Sequence, residues 1–143
     1  MSKLVILRGA PGCGKSTIAA QYKRHGYEIV NRDTIRLNQF GDEEFFGEEN
    51  LVTAIQDTLI DYWLRKGVNV VVDNTNTRWE FVRQLAGIGL RAGAEVKIEV
   101  VDIPLDEVLR RNAERGRLGG RAVPEHVIRR YHEELQISKE WSL

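Results

Sequence analysis

Hydrophobic positions occur along the chain either as short continuous runs or at helical spacing, which predicts strands alternating with helices. Runs rich in valine, isoleucine and leucine predict strands over residues 3–8, 27–30, 69–72 and 95–101. Helical spacing, bounded by glycine or proline, predicts helices over residues 16–23, 48–66, 79–92, about 105–115 and from 124 onwards. Residues 34–37 indicate one helical turn, and residues 41–47 and 116–121 indicate loops. The alternation predicts a parallel sheet with helices on both faces, in which ligands bind at the carboxyl ends of the strands.

The strongest motif lies between the first strand and the first helix. The segment GAPGCGKST, residues 9–17, fits the P-loop pattern G-x-x-x-x-G-K-[ST]. Its glycines allow successive N–H groups to turn inward towards phosphate oxygens. We expect Lys15 to reach the β- and γ-phosphates and the Ser16 hydroxyl to ligate Mg²⁺. The predicted nucleotide site comprises Gly9, Pro11, Gly12, Cys13, Gly14, Lys15, Ser16 and Thr17. The alternative is a glycine-rich turn without function.

Two carboxylates follow predicted strands. Asp33 follows the second strand, where it could accept the proton of an attacking hydroxyl, or simply cap a helix. Asp73 ends an all-valine strand, the position of a Walker B carboxylate that holds Mg²⁺ through water; the alternative is a cap or an Asx-turn. Because the P-loop also follows a strand, the pattern indicates one active site at the carboxyl edge of the sheet.

Residues 110–130 contain seven arginines and no lysine. Arginine is favoured where phosphate is recognised, because its planar fork matches phosphate oxygens. Several of these arginines flank the glycine-rich loop over residues 116–121, which could close over a nucleotide as a lid. The alternative is a solvated, mobile loop.

Composition and length limit the classes of protein to which this chain can belong. The chain has 143 residues and zero formal net charge, so its overall charge gives no indication of nucleic acid. We expect a single domain over residues 1–143. No apolar run approaches the roughly 20 residues that span a bilayer, and a single cysteine suits a reducing cytoplasm. Four aromatic residues at helical spacing are expected in the core: Trp63, Trp79, Phe81 and Tyr131.

The order of motifs resembles the kinase domain of phage-type 5′-polynucleotide kinase over almost the whole chain. The resemblance is carried by GAPGCGKST, NRDTIR, VVVDNTNTR, VVDIPLDEVLRRNAERG and RAVPEHVIRRYHEEL. It implies an α/β P-loop kinase fold of about four parallel strands with an arginine-rich lid, in which the 69–72 strand lies between the first two strands of the sequence. It also implies transfer of the γ-phosphate of ATP or another NTP, with Mg²⁺, to 5′-hydroxyl ends of DNA or RNA.

The resemblance implies roles for individual residues. It makes Asp33 the general base and places Arg36 on the acceptor's phosphate, while Lys15 keeps its P-loop role. Arg111 and Arg115 would engage the donor phosphates, Arg115 as a catalytic residue. The expected acceptor site comprises Arg32, Asp33, Arg36, Asp73 and Asn76, and the expected Mg²⁺ ligands are Ser16 and Asp73. The longer lid leaves Arg117 and Arg121 without counterparts, so we expect smaller contributions from them.

Two rival functions stay open at this point. One is a small-molecule or nucleoside kinase on the same fold, and the other is a non-catalytic nucleotide-binding switch. The sequence contains no D-x-D-x-T phosphatase segment, so we expect end-trimming or ligation to lie on a separate phosphatase or ligase. We expect the cytoplasm, including that of a phage-infected bacterium. The DNA or RNA preference, the strand preference, the preferred NTP and a homo-oligomeric state stay open.

Overall fold

In a computed structural model that describes all 143 residues, the hydrophobic runs form one parallel sheet of four strands. The strands are β1 (Lys3–Arg8), β2 (Glu28–Val30), β3 (Val70–Val72) and β4 (Glu95–Val100). The helices are α1 (Lys15–Arg24), α2 (Arg32–Phe40), α3 (Glu49–Arg65), α4 (Trp79–Arg91), α5 (Leu105–Arg117) and α6 (Glu125–Ser138). No helix has both the length and the apolar character needed to cross a membrane.

The order of the strands is β2-β3-β1-β4, with β3 paired in parallel to both β1 and β2. This confirms the predicted fold and the predicted place of the third strand. As a result, the carboxyl ends of β1, β2 and β3 are neighbours, and the segments that follow them meet at one edge of the sheet.

Helices cover both faces of the sheet, because successive side chains of a strand point to opposite sides. Leu4 and Ile6 of β1 pack with residues of α3 and α4, such as Ile60 and Leu85. Val5 and Leu7 face the other way and pack on Ala19 of α1. A third cluster joins α5 and α6 to the P-loop through Ala10, Val108 and Ile128. This third cluster sets the position of α5 and α6 relative to the P-loop.

Several local predictions were wrong. The helical turn expected over residues 34–37 is the nine-residue helix α2, which begins at Arg32 and ends at Phe40. Helix α5 runs to Arg117, two residues beyond the prediction, so the loop that follows it begins at Leu118 and not at Gly116. Phe81 was expected in the core but is 45% exposed, because it lies on the outer side of α4. Propensity alone cannot distinguish an outer from an inner aromatic residue on a helix.

A buried arginine connects three distant segments. Arg8, the last residue of β1, is fully buried. Its Nε donates to the carbonyl of Asn76 at 2.8 Å and its Nη2 to that of Thr77 at 3.0 Å. The guanidinium also donates to the backbone oxygen of Ser138 at 3.0 Å and to its hydroxyl at 2.7 Å. Burial lowers the pKa of Arg8 from its ordinary value. The carboxyl end of β1, the segment after β3 and the end of α6 are therefore held by one side chain.

Candidate active site

A cavity of about 690 Å³ lies at the carboxyl edge of the sheet. Of its 23 lining residues only five are hydrophobic, so its surface suits a charged ligand. The lining comprises Pro11, Gly12, Gly14, Lys15, Ser16, Thr17, Asn31, Arg32, Asp33, Arg36, Glu44, Phe46, Asp73, Asn74, Thr75, Arg111, Arg115, Arg121, Ala122, Val123, Pro124, Val127 and Tyr131. Tyr131, expected in the core, thus contributes to this wall.

The P-loop has the backbone that its glycines permit. Gly12 and Gly14 have φ angles of 82° and 102°, in the left-handed region that residues with a side chain rarely adopt. Helix α1 begins directly after Gly14, and no side chain caps its first turn. The first N–H groups of α1 therefore point at the cavity without a protein partner, which favours a bound phosphate.

Lys15 is held against the P-loop itself. Its Nζ donates to the carbonyls of Gly9 and Ala10, at 2.9 and 3.1 Å. The side chain is 8% exposed, yet it lines the cavity. These contacts place a positive charge at the phosphate-binding surface, as the motif predicts.

Gly9 and Cys13 lie behind this surface and do not line the cavity. Cys13 is 4% exposed, and a Cβ built on Gly9 would lie only 2.5 Å from its Sγ. The same Cβ would lie 2.7 Å from the carbonyl of Val101. Their side-chain positions serve the packing of the loop against the segment after β4, and their expected contact with the nucleotide stays a prediction for the backbone of the loop.

Asp33 lies in the first turn of α2 and lines the cavity. Its Oδ1 accepts a hydrogen bond from Nη1 of Arg36 at 2.7 Å, and its Oδ2 lies 3.7 Å from Nη1 of Arg121. The cap of α2 is Asn31, whose side-chain oxygen accepts from the N–H of Thr34. The capping alternative for Asp33 is therefore wrong, and its half-exposed carboxylate is oriented by arginines at the edge of the cavity.

Both arginines of α2 bind one carboxylate that the sequence analysis missed, that of Glu49. Nε and Nη2 of Arg36 donate to its two oxygens at 2.8 Å each, and Nη2 of Arg32 donates to it at 2.9 Å. Hydrogen bonds from Arg36, followed by those from Arg32, lower the pKa of Glu49 to about 2. The same pairing raises the pKa of Arg36. Three of the five N–H groups of Arg36 are used by Glu49 and Asp33, so two stay without a side-chain partner.

Asp73 follows β3 and lines the cavity together with Ser16. Burial raises the pKa of its carboxyl; Lys15 acts in the opposite direction, and Asp33 adds to the rise. Helix α4 begins after Arg78, so Asp73 does not cap it. No group of three or more His, Cys, Asp or Glu residues could hold a metal ion by itself. A hydroxyl and one carboxylate suit a Mg²⁺ that takes most of its ligands from phosphate and water.

Asn76 does not reach the cavity. It is 5% exposed, has a φ of 45°, and donates through Nδ2 to the carbonyl of Leu7 at 2.8 Å. The expected contact with substrate was wrong, because the side chain of Asn76 is buried and hydrogen-bonded to the end of β1. Asn74 lines the cavity instead, and its Oδ1 accepts from the N–H of Arg32 at 3.0 Å. Of the two asparagines in the DNTN segment, residues 73–76, only Asn74 lines the cavity. The motif alone does not indicate which of the two does so.

Two of the arginines of α5 lie over the P-loop. Nη2 of Arg115 lies 3.4 Å from a Cβ built on Gly12, and Nη1 of Arg111 lies 3.9 Å from one built on Gly14. Arg111 is held by Glu107 at 3.0 Å. Both side chains belong to helix α5 and not to the loop, and although they are exposed to solvent they contribute positive charge above the phosphate site.

The lid loop, residues 118–124, brings a further arginine into the cavity. Arg121 pairs with Glu44 at 3.0 Å and approaches Asp33 at 3.7 Å. Asn112 of α5 fixes the returning chain through two hydrogen bonds with the backbone of Val123, at 2.7 and 2.8 Å. Arg117, by contrast, has a 75% exposed side chain and lies 3.9 Å from Glu114. Arg117 and Arg121 both lack counterparts in the family that the sequence resembles. The structure places Arg121 in the cavity and Arg117 outside it.

Charge is distributed unevenly over the cavity. The P-loop half carries Lys15, Arg111 and Arg115 against the single carboxylate of Asp73. Around Asp33, three arginines and three carboxylates balance: Arg32, Arg36 and Arg121 with Asp33, Glu44 and Glu49. The first half suits a triphosphate, whereas the second half carries no excess of either charge.

Comparisons with known proteins agree with this geometry. The family described as AAA domain matches residues 4–137. A chain of the solved Pnkp1/Rnl/Hen1 RNA repair complex is 30% identical, with a TM-score of 0.89, over 99% of this chain and 46% of that one. The L-seryl-tRNA(Sec) kinase of Methanococcus maripaludis is 29% identical over 92% of this chain and 52% of its own length. A gluconokinase from Sinorhizobium meliloti, 17% identical over 93% of this chain and 74% of that one with a TM-score of 0.61, shares the fold. The chain spans about half the length of the first two relatives.

Proposed function

This chain belongs to the AAA domain family and is a P-loop kinase, and from that premise we propose that it is a polynucleotide 5′-hydroxyl kinase. In this proposal it transfers the γ-phosphate of ATP or another NTP to the 5′-hydroxyl end of DNA or RNA. The observation that carries the proposal is the Asp33 carboxylate, oriented by Arg36 at 2.7 Å, in the same cavity as Lys15. The 30% identity to a chain of an RNA repair complex supports this acceptor over a small molecule.

The donor triphosphate lies along the P-loop half. The N–H groups at the start of α1 and Lys15 hold the β- and γ-phosphates, and Arg111 and Arg115 neutralise charge on the transferring group. Ser16 and Asp73 would hold Mg²⁺, which when bound would further neutralise the phosphate oxygens. Catalysis by these residues is electrostatic, so it depends on their position above the loop.

The acceptor lies at the other half. Asp33 accepts the proton as the 5′-oxygen bonds to the γ-phosphorus, and the bond between that phosphorus and the β–γ bridging oxygen breaks to release the nucleoside diphosphate. Arg36 orients Asp33 and uses its two remaining N–H groups for the phosphate that follows the terminal nucleoside. Arg32 supports this arrangement through Glu49.

The same comparison supports a role in nucleic-acid repair, in which a separate ligase or phosphatase would process the same ends. We place this activity in the cytoplasm, where such ends and NTPs occur together. DNA and RNA ends are both retained as acceptors.

The test is transfer of label from γ-labelled ATP to four acceptors: a 5′-hydroxyl oligonucleotide, a nucleoside, its 3′-monophosphate, and seryl-tRNA. Wild type is expected to prefer the oligonucleotide, and the 3′-monophosphate over the nucleoside. Asp33→Asn should lower the rate by about 10²–10⁴-fold with little change in nucleotide affinity. Asp61→Asn, on the outer side of α3 where Asp61 pairs only with Arg65, is the matched control and should keep full activity.

Each rival function gives a different result. Preference for the plain nucleoside indicates a small-molecule kinase, and preference for seryl-tRNA indicates the activity named for the archaeal relative. Binding of ATP without transfer to any acceptor indicates a nucleotide-dependent switch. Any of these three results rejects the polynucleotide 5′-hydroxyl kinase.

A further inference from the structure

Two adjacent phenylalanines in the acidic loop, residues 41–48, have opposite environments. Phe45 packs its ring on that of Phe40, with centroids 4.8 Å apart, and folds over Gly47. Phe46 points into the cavity and is 57% exposed. The ring that the fold needs is therefore Phe45, and the packing of the loop does not account for Phe46.

Phe46 lies on the acceptor side of the cavity. The guanidinium carbon of Arg36 lies 4.7 Å from the centroid of its ring, and the same guanidinium donates to Asp33 at 2.7 Å. One side chain therefore separates the exposed ring from the carboxylate that is proposed to receive the acceptor's proton. The other aromatic residue of the cavity, Tyr131, belongs to α6 and packs with the cluster of α5 and α6.

The guanidinium beside the ring is held in place before any ligand binds. Arg36 is 7% exposed and fixed by Glu49 on two nitrogens, so the surface against which Phe46 lies has little freedom. A phenylalanine ring has only two side-chain torsions, so it loses little entropy when a flat group stacks on it. Among biological ligands, a nucleobase has the flat, polarisable surface that such a ring favours.

A 5′-terminal nucleoside joins its attacking hydroxyl to its base through one sugar. Asp33 and Phe46 both line the cavity, and both contact the guanidinium of Arg36. A hydroxyl at Asp33 therefore leaves the base on the side of the cavity that Phe46 lines. The balanced charges of this half of the cavity leave stacking as the main attraction available to an uncharged base.

We propose that Phe46 stacks on the nucleobase of the acceptor's 5′-terminal nucleoside and makes the presence of that base a requirement for efficient phosphorylation. The proposal rests on the proposed function. Stacking accepts every base, so the enzyme discriminates against an end that lacks a base rather than between sequences.

The experiment compares two 5′-hydroxyl oligonucleotides that differ only in whether their terminal sugar carries a base. For wild type, kcat/KM should be higher on the end with a base by about 5- to 150-fold, the range that one stacked base contributes. Phe46→Ala should reduce this ratio to near one by losing activity on the end with a base, and Phe46→Trp should keep it. Phe81→Ala, which removes a half-exposed ring of α4 outside the cavity, is the matched control and should keep the ratio. The KM for ATP should be the same in wild type and Phe46→Ala.

Three results overturn the proposal while leaving the proposed function intact. Wild type could phosphorylate both ends equally well. Phe46→Ala could lower activity on both ends by the same factor, which indicates that the ring only supports Arg36. Phe46→Ala could raise the KM for ATP with the base ratio unchanged, which places the ring on the donor's base. If wild type phosphorylates neither oligonucleotide, the proposed function fails, and this inference fails with it.

Discussion

Glu49 determines the direction of both arginines of α2. Its two oxygens accept hydrogen bonds from Arg36, and one of them also accepts from Arg32. Glu49 therefore fixes the orientation of both guanidinium groups. The sequence places Glu49 in an acidic run, and such runs are usually solvated, so this role was missed. The sequence did contain a signal for this role, because the segment NRDTIR has two arginines and only one carboxylate, Asp33. The unbalanced positive charge indicates an acidic partner elsewhere in the chain.

The pKa of Glu49 gives a prediction on acid stability. Its pKa is lowered to about 2 in the folded protein, from its usual 4.5. Its contribution to stability is therefore fully present above pH 4.5 and is lost as the pH falls towards 2. Because the side chain is 38% exposed, solvent screening leaves about 1 kcal/mol at neutral pH. The difference in free energy of unfolding between wild type and Glu49→Gln, measured by urea denaturation, should shrink from pH 6 to pH 3. Glu43→Gln, in the exposed acidic loop, should show no such trend.

Cys13 illustrates a residue whose motif position suggests contact with ligand and whose side chain has none. Its thiol is buried behind the P-loop, packs at Gly9 and accepts one long hydrogen bond from Nζ of Lys15 at 3.6 Å. Cys13→Ala removes this weak bond, while Lys15 keeps its shorter bonds to the carbonyls of Gly9 and Ala10. The KM for ATP and the transfer rate should therefore stay within about threefold of wild type. Lys15→Ala, measured in parallel, should abolish transfer. A loss of more than tenfold in Cys13→Ala would show that the thiol contributes to the site directly.

At the scale of elements, α5, the lid loop and α6 act together. Sequence spacing predicted the two helices, and the resemblance assigned Arg111 and Arg115, which lie over the P-loop. It gave no role to Arg121, because the longer lid leaves this residue without a counterpart, and its partner Glu44 lies in the acidic loop, far away in sequence. Contacts between two loops leave no periodic pattern, so such a pair is visible only once the chain is folded.

The lid loop gives a prediction that separates two arginines close together in sequence. Arg121 lies in the cavity near Asp33, whereas Arg117 is exposed and outside it. Arg121→Ala should lower kcat/KM for the oligonucleotide by about tenfold or more, the loss of one charge-assisted contact, with a smaller change in the KM for ATP. Arg117→Ala is the control and should stay close to wild type. Equal effects of the two variants would contradict the placement of Arg121.

At the scale of the molecule, the strand order brings the site together. The P-loop, Asp33 and Asp73 follow β1, β2 and β3, which are neighbours in the sheet, so a parallel pattern was enough to predict their meeting. Asn76 was assigned wrongly because its direction depends on one left-handed φ angle and on the buried guanidinium of Arg8. Strand periodicity predicts where a segment lies, while single backbone angles and long-range hydrogen bonds decide which side chains face the cavity.

Arg8 holds the end of β1, the segment after β3 and the end of α6 together. Four hydrogen bonds from its guanidinium satisfy oxygens of Asn76, Thr77 and Ser138 in a fully buried place. In Arg8→Met the side chain fills similar space but leaves these acceptors without donors. We expect the free energy of unfolding to fall by about 3 kcal/mol or more, measured by urea denaturation at pH 7.

Two further variants make this prediction specific. Arg8→Lys keeps the charge but not the planar fork, so its loss should be smaller than that of Arg8→Met. Arg129→Met removes an exposed arginine of α6 that pairs with Glu125 and should change stability by less than about 0.5 kcal/mol. Because α6 carries Val127 and Tyr131 of the cavity wall, folded Arg8→Lys should also show a raised KM for ATP. If Arg8→Met is as stable as Arg129→Met, Arg8 does not hold the end of α6 to the P-loop side of the sheet.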